Sequence, residues 1–393
     1  MTAEIIPTVG ATQLVAFDHQ PTIRTKFGIG ALEQLGQSAL ELSGSRILLV
    51  TDDGLIKAGH VARAEDILRD SGLTVFTFSD VEENPTTACV ERGVAYVVAQ
   101  GGVDLIVALG GGSSMDSAKA INFLITNGGK MEDYWGKEKA KKPLLPSIGV
   151  PTTAGTGSEA QRFALISQAE SHRKMACGDI KARFKTVILD PALITSVPKA
   201  VAAHAGMDAI THAVESYVSS ARNPYSQLYA REAWRQLEAN FERVLAEPDD
   251  LDAWGHMLLG AHYSGCAIEN SMLGAAHACA NPLTARYGVI HGVAVGMMLP
   301  HVIRFNADAV GPLYGELTDA ARLFGEDEAC ERLARRVDEL REAAGQAGRL
   351  RDFDIPPEAL HDLAEAAKNE WTGNFNPRPV DVEALEGLYR VAW

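Results

Sequence analysis

Cysteine is scarce: Cys89, Cys177, Cys266, Cys279 and Cys330 are the only five in 393 residues, and no two form a CxxC pair. An odd, dispersed set speaks against a disulfide framework and a zinc–thiolate site. It fits free thiols in a reducing compartment, so the expected location is the cytoplasm. Long apolar runs are also missing. No stretch approaches the roughly 18 uninterrupted apolar residues of a transmembrane helix. The opening MTAEIIPTVGATQLVAF lacks a basic segment followed by an apolar core, so no secretory signal is expected. Positive charge is in deficit, with Lys plus Arg at 36 against 51 for Asp plus Glu and a net charge of -15. That sign argues against a non-specific nucleic-acid binder and against attraction to an anionic membrane. It leaves a small-molecule partner, including an anionic one, because a local basic pocket can oppose the global sign.

What is present falls into two halves. Short β-branched runs alternate with helical segments in the first: Ser45–Thr51, Leu73–Phe78, Val103–Leu109, Ser147–Val150 and Thr186–Leu189 read as strands. Strands at this spacing with helices between them predict a mostly parallel sheet covered on both faces. After about Pro198 the alternation fades and helical periodicity takes over, in 199–218, 225–245, 252–280, 309–325 and 327–348. Pro282 and Pro300 are expected at helix ends or starts. The reading is an α/β domain over 1–194 and an all-helical domain over 195–393.

The strand ending at Leu109 runs into Gly110-Gly111-Gly112-Ser113-Ser114, with a helix expected from about Met115. Glycines let the backbone approach a phosphate, free amides at the helix start donate to it, and the helix dipole favours its charge. The run is neither a GxxxxGK[ST] loop nor a GxGxxG fingerprint. Pro151 to Ser158 form a second small, hydroxyl-rich loop, which fits either packing against a ring or pyrophosphate or a tight surface turn. Asp52, after the first clear strand, is placed to accept hydrogen bonds from ribose hydroxyls and to repel a 2′-phosphate, favouring NAD over NADP. Asp53 beside it leaves the choice between the two open on spacing alone.

Asp208 and His212 are four apart in a helical stretch and therefore share a face about one turn apart. His277 sits in the small-residue run Gly274–Ala278. His291 follows where a new helix would begin, and two helices joined through Asn281-Pro282 and Gly288 would bring the imidazoles together. One Asp with three His suits Fe(II) or Zn(II), and Mn(II) or Co(II) less firmly. There are 11 histidines, and arrangements using His204, His262 or His301 compete on spacing alone.

These blocks resemble the iron-containing (group III) alcohol dehydrogenase family. The resemblance runs through Phe27-Gly28-Ile29-Gly30, GGGSSMDSAK, PTTAGTGSE, GMDAITHAVESY, HACANPL, IHGVAVGMMLPHVIRFN and Phe375–Pro379. It implies a dinucleotide domain followed by a helical domain, with cofactor and metal in the cleft between them. It places the metal ligands on Asp208, His212, His277 and His291, and the pyrophosphate loop on Gly110, Gly111, Gly112, Ser113 and Ser114. Thr152 and Thr153 fall on further cofactor contacts, and Asp52 on the coenzyme-selecting aspartate. It implies NAD(H), usually with Fe(II) and in some relatives Zn(II), interconversion of alcohols with aldehydes or ketones, and assembly as a homodimer or larger homo-oligomer.

Two departures bear on chemistry. Many family members carry a second histidine one turn after the third ligand, associated with a proton relay; here Asn281 stands there, and an amide cannot exchange a proton near pH 7. Arg162 stands where relatives commonly have small or hydroxyl residues, and it reads either as a partner for a polar or anionic substrate or as a salt bridge. The catalytic set is accordingly His277, Asn281 and Arg162. The expected activity is NAD(H)-linked alcohol oxidation or aldehyde reduction. A glycerol-dehydrogenase-like or maleylacetate-reductase-like oxidoreductase is the nearest alternative, and a dehydroquinate-synthase-like lyase a more distant one.

Overall fold

The computed structural model describes Phe17, His19, Pro21 and residues 23–393 apart from His172; residues 1–16, read above for a leader, lie outside the described residues. The strands are β1 (Arg24–Phe27), β2 (Arg46–Val50), β3 (Thr74–Phe78), β4 (Leu105–Gly110), β5 (Gly136–Lys137), β6 (Ser147–Pro151), β7 (Phe163–Ser167), β8 (Lys174–Gly178) and β9 (Thr186–Leu189). Between them run α1 (Leu35–Glu41), α2 (Asp53–Lys57), α3 (His60–Asp70), α4 (Thr87–Ala99) and α5 (Gly112–Asn127). The rest is helical: α6 (Lys199–Val218), α7 (Pro224–Ala246), α8 (Leu251–Glu269), α9 (Ala275–Tyr287), α10 (His291–Ala320), α11 (Ala329–Ala343), α12 (Leu360–Lys368) and α13 (Val382–Ala392). An N-terminal α/β part with a parallel sheet thus precedes an all-helical C-terminal part. Among the described residues no helix is long and apolar enough to cross a membrane.

Among the described residues six strands form one sheet in the order β1-β9-β6-β4-β2-β3, parallel throughout. The side-chain period of two sorts its residues cleanly. Leu48, Val50, Ile106 and Ala108 pack on one face, and Ile47, Leu49, Leu105 and Val107 on the other. Both faces are dry, which explains why β4 is an uninterrupted apolar run rather than an alternating one. All five strands read from the sequence are present. The four that were missed are β1, whose Arg-Thr-Lys-Phe is polar, and β5, β7 and β8 of a separate three-stranded sheet.

Several helix boundaries differ from expectation. Pro282 and Pro300 lie inside α9 and α10, not at helix ends. Each forgoes one backbone hydrogen bond, a loss that packing offsets: Ala275 to Ala280 and Gly292 to Pro300 are all buried. The expected 252–280 helix breaks after Glu269 and resumes at Ala275. The helix expected from 309 begins instead at His291 and carries non-helical angles at Val310. Helix α5 starts at Gly112, three residues before the expected start.

The helical part is tied to the sheet where the loop after β6 meets α8. Gly157 has φ +59°, and a Cβ on Gly265 would stand 2.3 Å from the Gly157 carbonyl oxygen, a backbone atom that cannot swing aside. Gly265→Ala is therefore expected to destabilise the fold by about 1–3 kcal/mol, the range for overpacking a tight contact. Urea unfolding checks it, and an unchanged midpoint would show that the two backbones separate freely.

Candidate active site

In the sheet, β2 is followed by β3 on one side, whereas β4 returns to its other side. The crevice at the carboxyl ends of β2 and β4 is the switch point at which open α/β sheets bind ligands. Asp52 follows β2, and Gly110 closes β4. Asp52 caps α2, accepting from the Gly54 and Leu55 amides at 2.9 and 3.2 Å, and its Oδ2 lies 3.4 Å from where a Cβ on Gly110 would stand.

Gly111 is the N-cap of α5 and provides no side-chain cap to its first amides. A 16-residue helix thus directs free N–H groups and the positive end of its dipole into the crevice. Ser113 Oγ accepts from the Asn84 amide at 3.3 Å, and Ser114 Oγ is buried with no hydrogen-bond partner. The second hydroxyl-rich loop is not a detached surface turn but packs on the first. The Thr152 amide donates to the Gly110 carbonyl at 3.0 Å, and Thr153 Oγ1 sits 3.4 Å from a Cβ position on Gly111.

The second cluster is carried by α6, α9 and α10. Asp208 and His212 project from one face of α6. Gly292 lets the start of α10 press against α6, since a Cβ there would lie 2.0 Å from the His204 carbonyl oxygen. That approach, one turn from Asp208, delivers His291. Three imidazole nitrogens then surround one carboxylate oxygen: the Nε2 atoms of His212, His277 and His291 lie 3.3, 3.5 and 3.6 Å from Asp208 Oδ1. Atoms of Asp208, His277 and His291 all fall within 4.8 Å of one another. His212 lies outside that mutual set but stacks on His277 with centroids 4.8 Å apart. Of the competing histidines, His262 faces Glu159 and Thr25 instead.

The donor set fits a divalent ion. Asp208 Oδ1 and His277 Nε2 are buried and make no hydrogen bond, a costly state that a cation would relieve. A tetrahedral ion with ligand distances of about 2.0–2.1 Å separates its ligand atoms by about 3.3–3.4 Å, close to the spacing around Asp208. Burial pushes the imidazoles of His212 and His291 down to about 4 and about 3, so both keep a lone pair near pH 7. Burial acts the same way on His277, but the Asp208 and Glu215 carboxylates outweigh it and hold it up at about 9. For Asp208, burial works upward and the surrounding imidazoles outweigh that, holding the carboxyl well below its usual range.

Glu215 was not picked out from the sequence. It is buried; Oε2 accepts from His277 Nδ1 at 2.6 Å and Oε1 from the Ala276 amide at 2.7 Å. It therefore fixes the ring of His277 and ties down the start of α9. The signal was available, because Asp208, His212 and Glu215 stand at i, i+4 and i+7 and share one helix face. Asn281, one turn beyond His277, donates from Nδ2 to Glu370 Oε2 at 2.7 Å.

Comparison with known proteins bears on both clusters. The iron-containing alcohol dehydrogenase model matches residues 21–191, and the C-terminal model of the Fe-containing alcohol dehydrogenase family matches 202–393. The chain belongs to the iron-containing alcohol dehydrogenase family. Members of this family are metal-dependent, NAD(H)-linked oxidoreductases. The chain is 34% identical to the 1,3-propanediol dehydrogenase of Klebsiella pneumoniae, over 93% of this chain and 96% of that one. A solved 1,3-propanediol oxidoreductase superposes with a TM-score of 0.90 at 33% identity, covering 94% and 98% of the two chains. The sulfoacetaldehyde reductase from Bifidobacterium kashiwanohense, solved in complex with NAD+, gives 0.86 at 26% identity, covering 96% and 99%.

Within this family frame Arg162 is held by carboxylates. Its Nε donates to Glu269 Oε1 at 2.6 Å, its backbone amide to Glu269 Oε2 at 3.0 Å, and Nη1 to Glu138 Oε1 at 3.2 Å. It lines a polar cavity of about 360 Å³ with Arg183, Asn223, Asn270 and Ser271. Arg162→Ala is expected to cost about 1–3 kcal/mol of stability, the worth of charge-assisted hydrogen bonds to a buried carboxylate. Urea titration with an unchanged m-value checks this.

Proposed function

We propose that this chain is an NAD(H)-linked alcohol dehydrogenase and aldehyde reductase acting on a small alcohol or aldehyde. The dinucleotide is assigned to residues 1–194 and the metal to 195–393. The observation that carries the reading is the buried, unpartnered Asp208 oxygen ringed by three imidazole nitrogens.

Asp208, His212, His277 and His291 would hold the ion, with Fe(II) favoured by the family and Zn(II) admitted by the donor chemistry. When bound, the metal supplies a Lewis acid for the substrate oxygen and the nicotinamide an acceptor or donor of hydride. The chain's residues do the rest. Gly110 to Ser114 offer amides and a free hydroxyl to the pyrophosphate, and Thr152 and Thr153 brace that loop. Asp52 beside Gly110 is suited to ribose hydroxyls and opposes a 2′-phosphate, which supports NAD over NADP. Glu215 keeps His277 in the tautomer that presents Nε2. Asn281, fixed by Glu370, orients a hydroxyl or water without titrating. Arg162 lines the polar cavity beside Glu269 and Asn270 rather than either cluster; unchanged KM in Arg162→Ala is the expectation, and a large rise would return it to the substrate.

The test is NADH oxidation across a panel of small aldehydes with chelator-stripped protein, before and after anaerobic addition of Fe(II) or Zn(II). Activity should vanish on stripping and return with one ion. NADH binding with no turnover under any of these conditions would count against the reading. His277→Ala should lose both bound metal and nearly all turnover. Glu215→Gln should weaken metal affinity by roughly 10–100-fold, measured by competition with a chromophoric chelator. Full affinity in that variant would reduce Glu215 to a helix-start contact.

A further inference from the structure

A second constellation lies away from the Asp208 cluster, on α8 and the loop after β6. Cys266 Sγ is 3.9 Å from His262 Nε2, and His262 Nδ1 is 3.1 Å from Glu159 Oε1. His262 and Glu159 are buried, while Cys266 is only half-buried. Nucleophile, base and orienting carboxylate are therefore in series, the arrangement that activates a thiol. Cys266 and His262 both line a cavity of about 390 Å³ whose wall includes Ile23, Phe27, Leu259 and Tyr263. This space is large enough for a small organic molecule and lies directly against the sulfur.

We propose that Cys266 is a nucleophilic thiol site, assisted by His262 and Glu159, that is thiolated by a small neutral disulfide entering this cavity. The Cys266 proton passes to His262 Nε2 and the sulfur attacks one sulfur of the disulfide. The new S–S bond forms as the old one breaks, and the departing thiolate takes the proton back from the imidazolium. Cys266 is oxidised to a mixed disulfide, the reagent is reduced to one thiol, and no other reactant is needed.

Burial opposes protonation of His262, while the Cys266 sulfur and Glu159 favour it. Thr25 Oγ1 also approaches Nε2, at 3.3 Å. The other titratable or charged groups around the cavity are His19, Tyr229, Tyr263, Arg183 and Glu269. The three fully buried cysteines have no such partner. Cys177 and Cys279 are pushed up to about 12 and well above the usual thiol range, and Cys89 is raised, in each case chiefly by burial. Cys330, half-buried like Cys266, serves as the internal reference.

The experiment treats the folded full-length protein with 2,2′-dithiodipyridine at pH 6 and follows each cysteine by peptide mass spectrometry. At that pH an ordinary thiol of pKa about 8.5 is less than about 1% thiolate. Cys266 should react more than tenfold faster than Cys330, Cys266→Ser should abolish the fast phase, and His262→Ala should reduce Cys266 to the rate of Cys330. A ratio below tenfold, a fast phase surviving in Cys266→Ser, or a folded His262→Ala that keeps the ratio would each overturn the proposal. If His262→Ala fails to fold, the wild-type ratio alone decides.

Discussion

The site depends on one buried carboxylate. Removing the Asp208 charge from water is expensive unless opposite charge or donors surround it. Here the surroundings are three imidazole rings supplied by three separate helices, none of which makes a hydrogen bond to Oδ1. The first turn of α10 must press on α6 at His204, and α9 must begin against Glu215. If either approach relaxes, Asp208 keeps its charge and loses its surroundings. The helical half is therefore built to hold four side chains at fixed separations, and burying such a cluster carries an electrostatic cost that a cation would relieve.

The sheet meets the same problem with backbone instead of side chains. A parallel sheet with both faces covered has its carboxyl ends as its open edge, and the switch between β2 and β4 makes a crevice there. The uncapped amides of α5 and the lone hydroxyl of Ser114 are polar groups left without partners in that crevice. The Asp208 cluster thus has a deficit of positive charge and the crevice an unmet set of donors. A divalent cation and a pyrophosphate have opposite charges and meet those two needs.

The legible part of the sequence was the part governed by local periodicity. β2, β4, β6 and β9 are buried on both faces and read as apolar runs; α6 and α7 read from their period almost to the residue. The Asp208–His212 pair follows from helix geometry alone. That His277 and His291 join it follows less firmly, because their convergence rests on a helix crossing; the residues offered this set among arrangements using His204, His262 or His301, and the family resemblance singled it out. Among the described residues the edge strand β1 pairs on one side only and can be polar, so it gave no apolar signal. Pro282 and Pro300 misled for the reverse reason, since tertiary packing outweighed a strong local rule. Glu215 was within reach and was passed over because it bonds to His277, one of the proposed ligands, rather than standing among them.

Under the proposed reaction, Asn281 changes how the site would handle protons. An imidazole one turn from His277 would titrate near neutrality, whereas an amide cannot; here its nitrogen is committed to Glu370. Proton movement at this position then requires a hydroxyl or water held by the amide, and the residue's contribution becomes geometric. Nothing about the Asp208 cluster need change for this to hold, because polarising an oxygen and removing its proton are separate tasks. The Asp208 cluster and the residue one turn beyond His277 can therefore divide those two tasks between them under the proposed reaction.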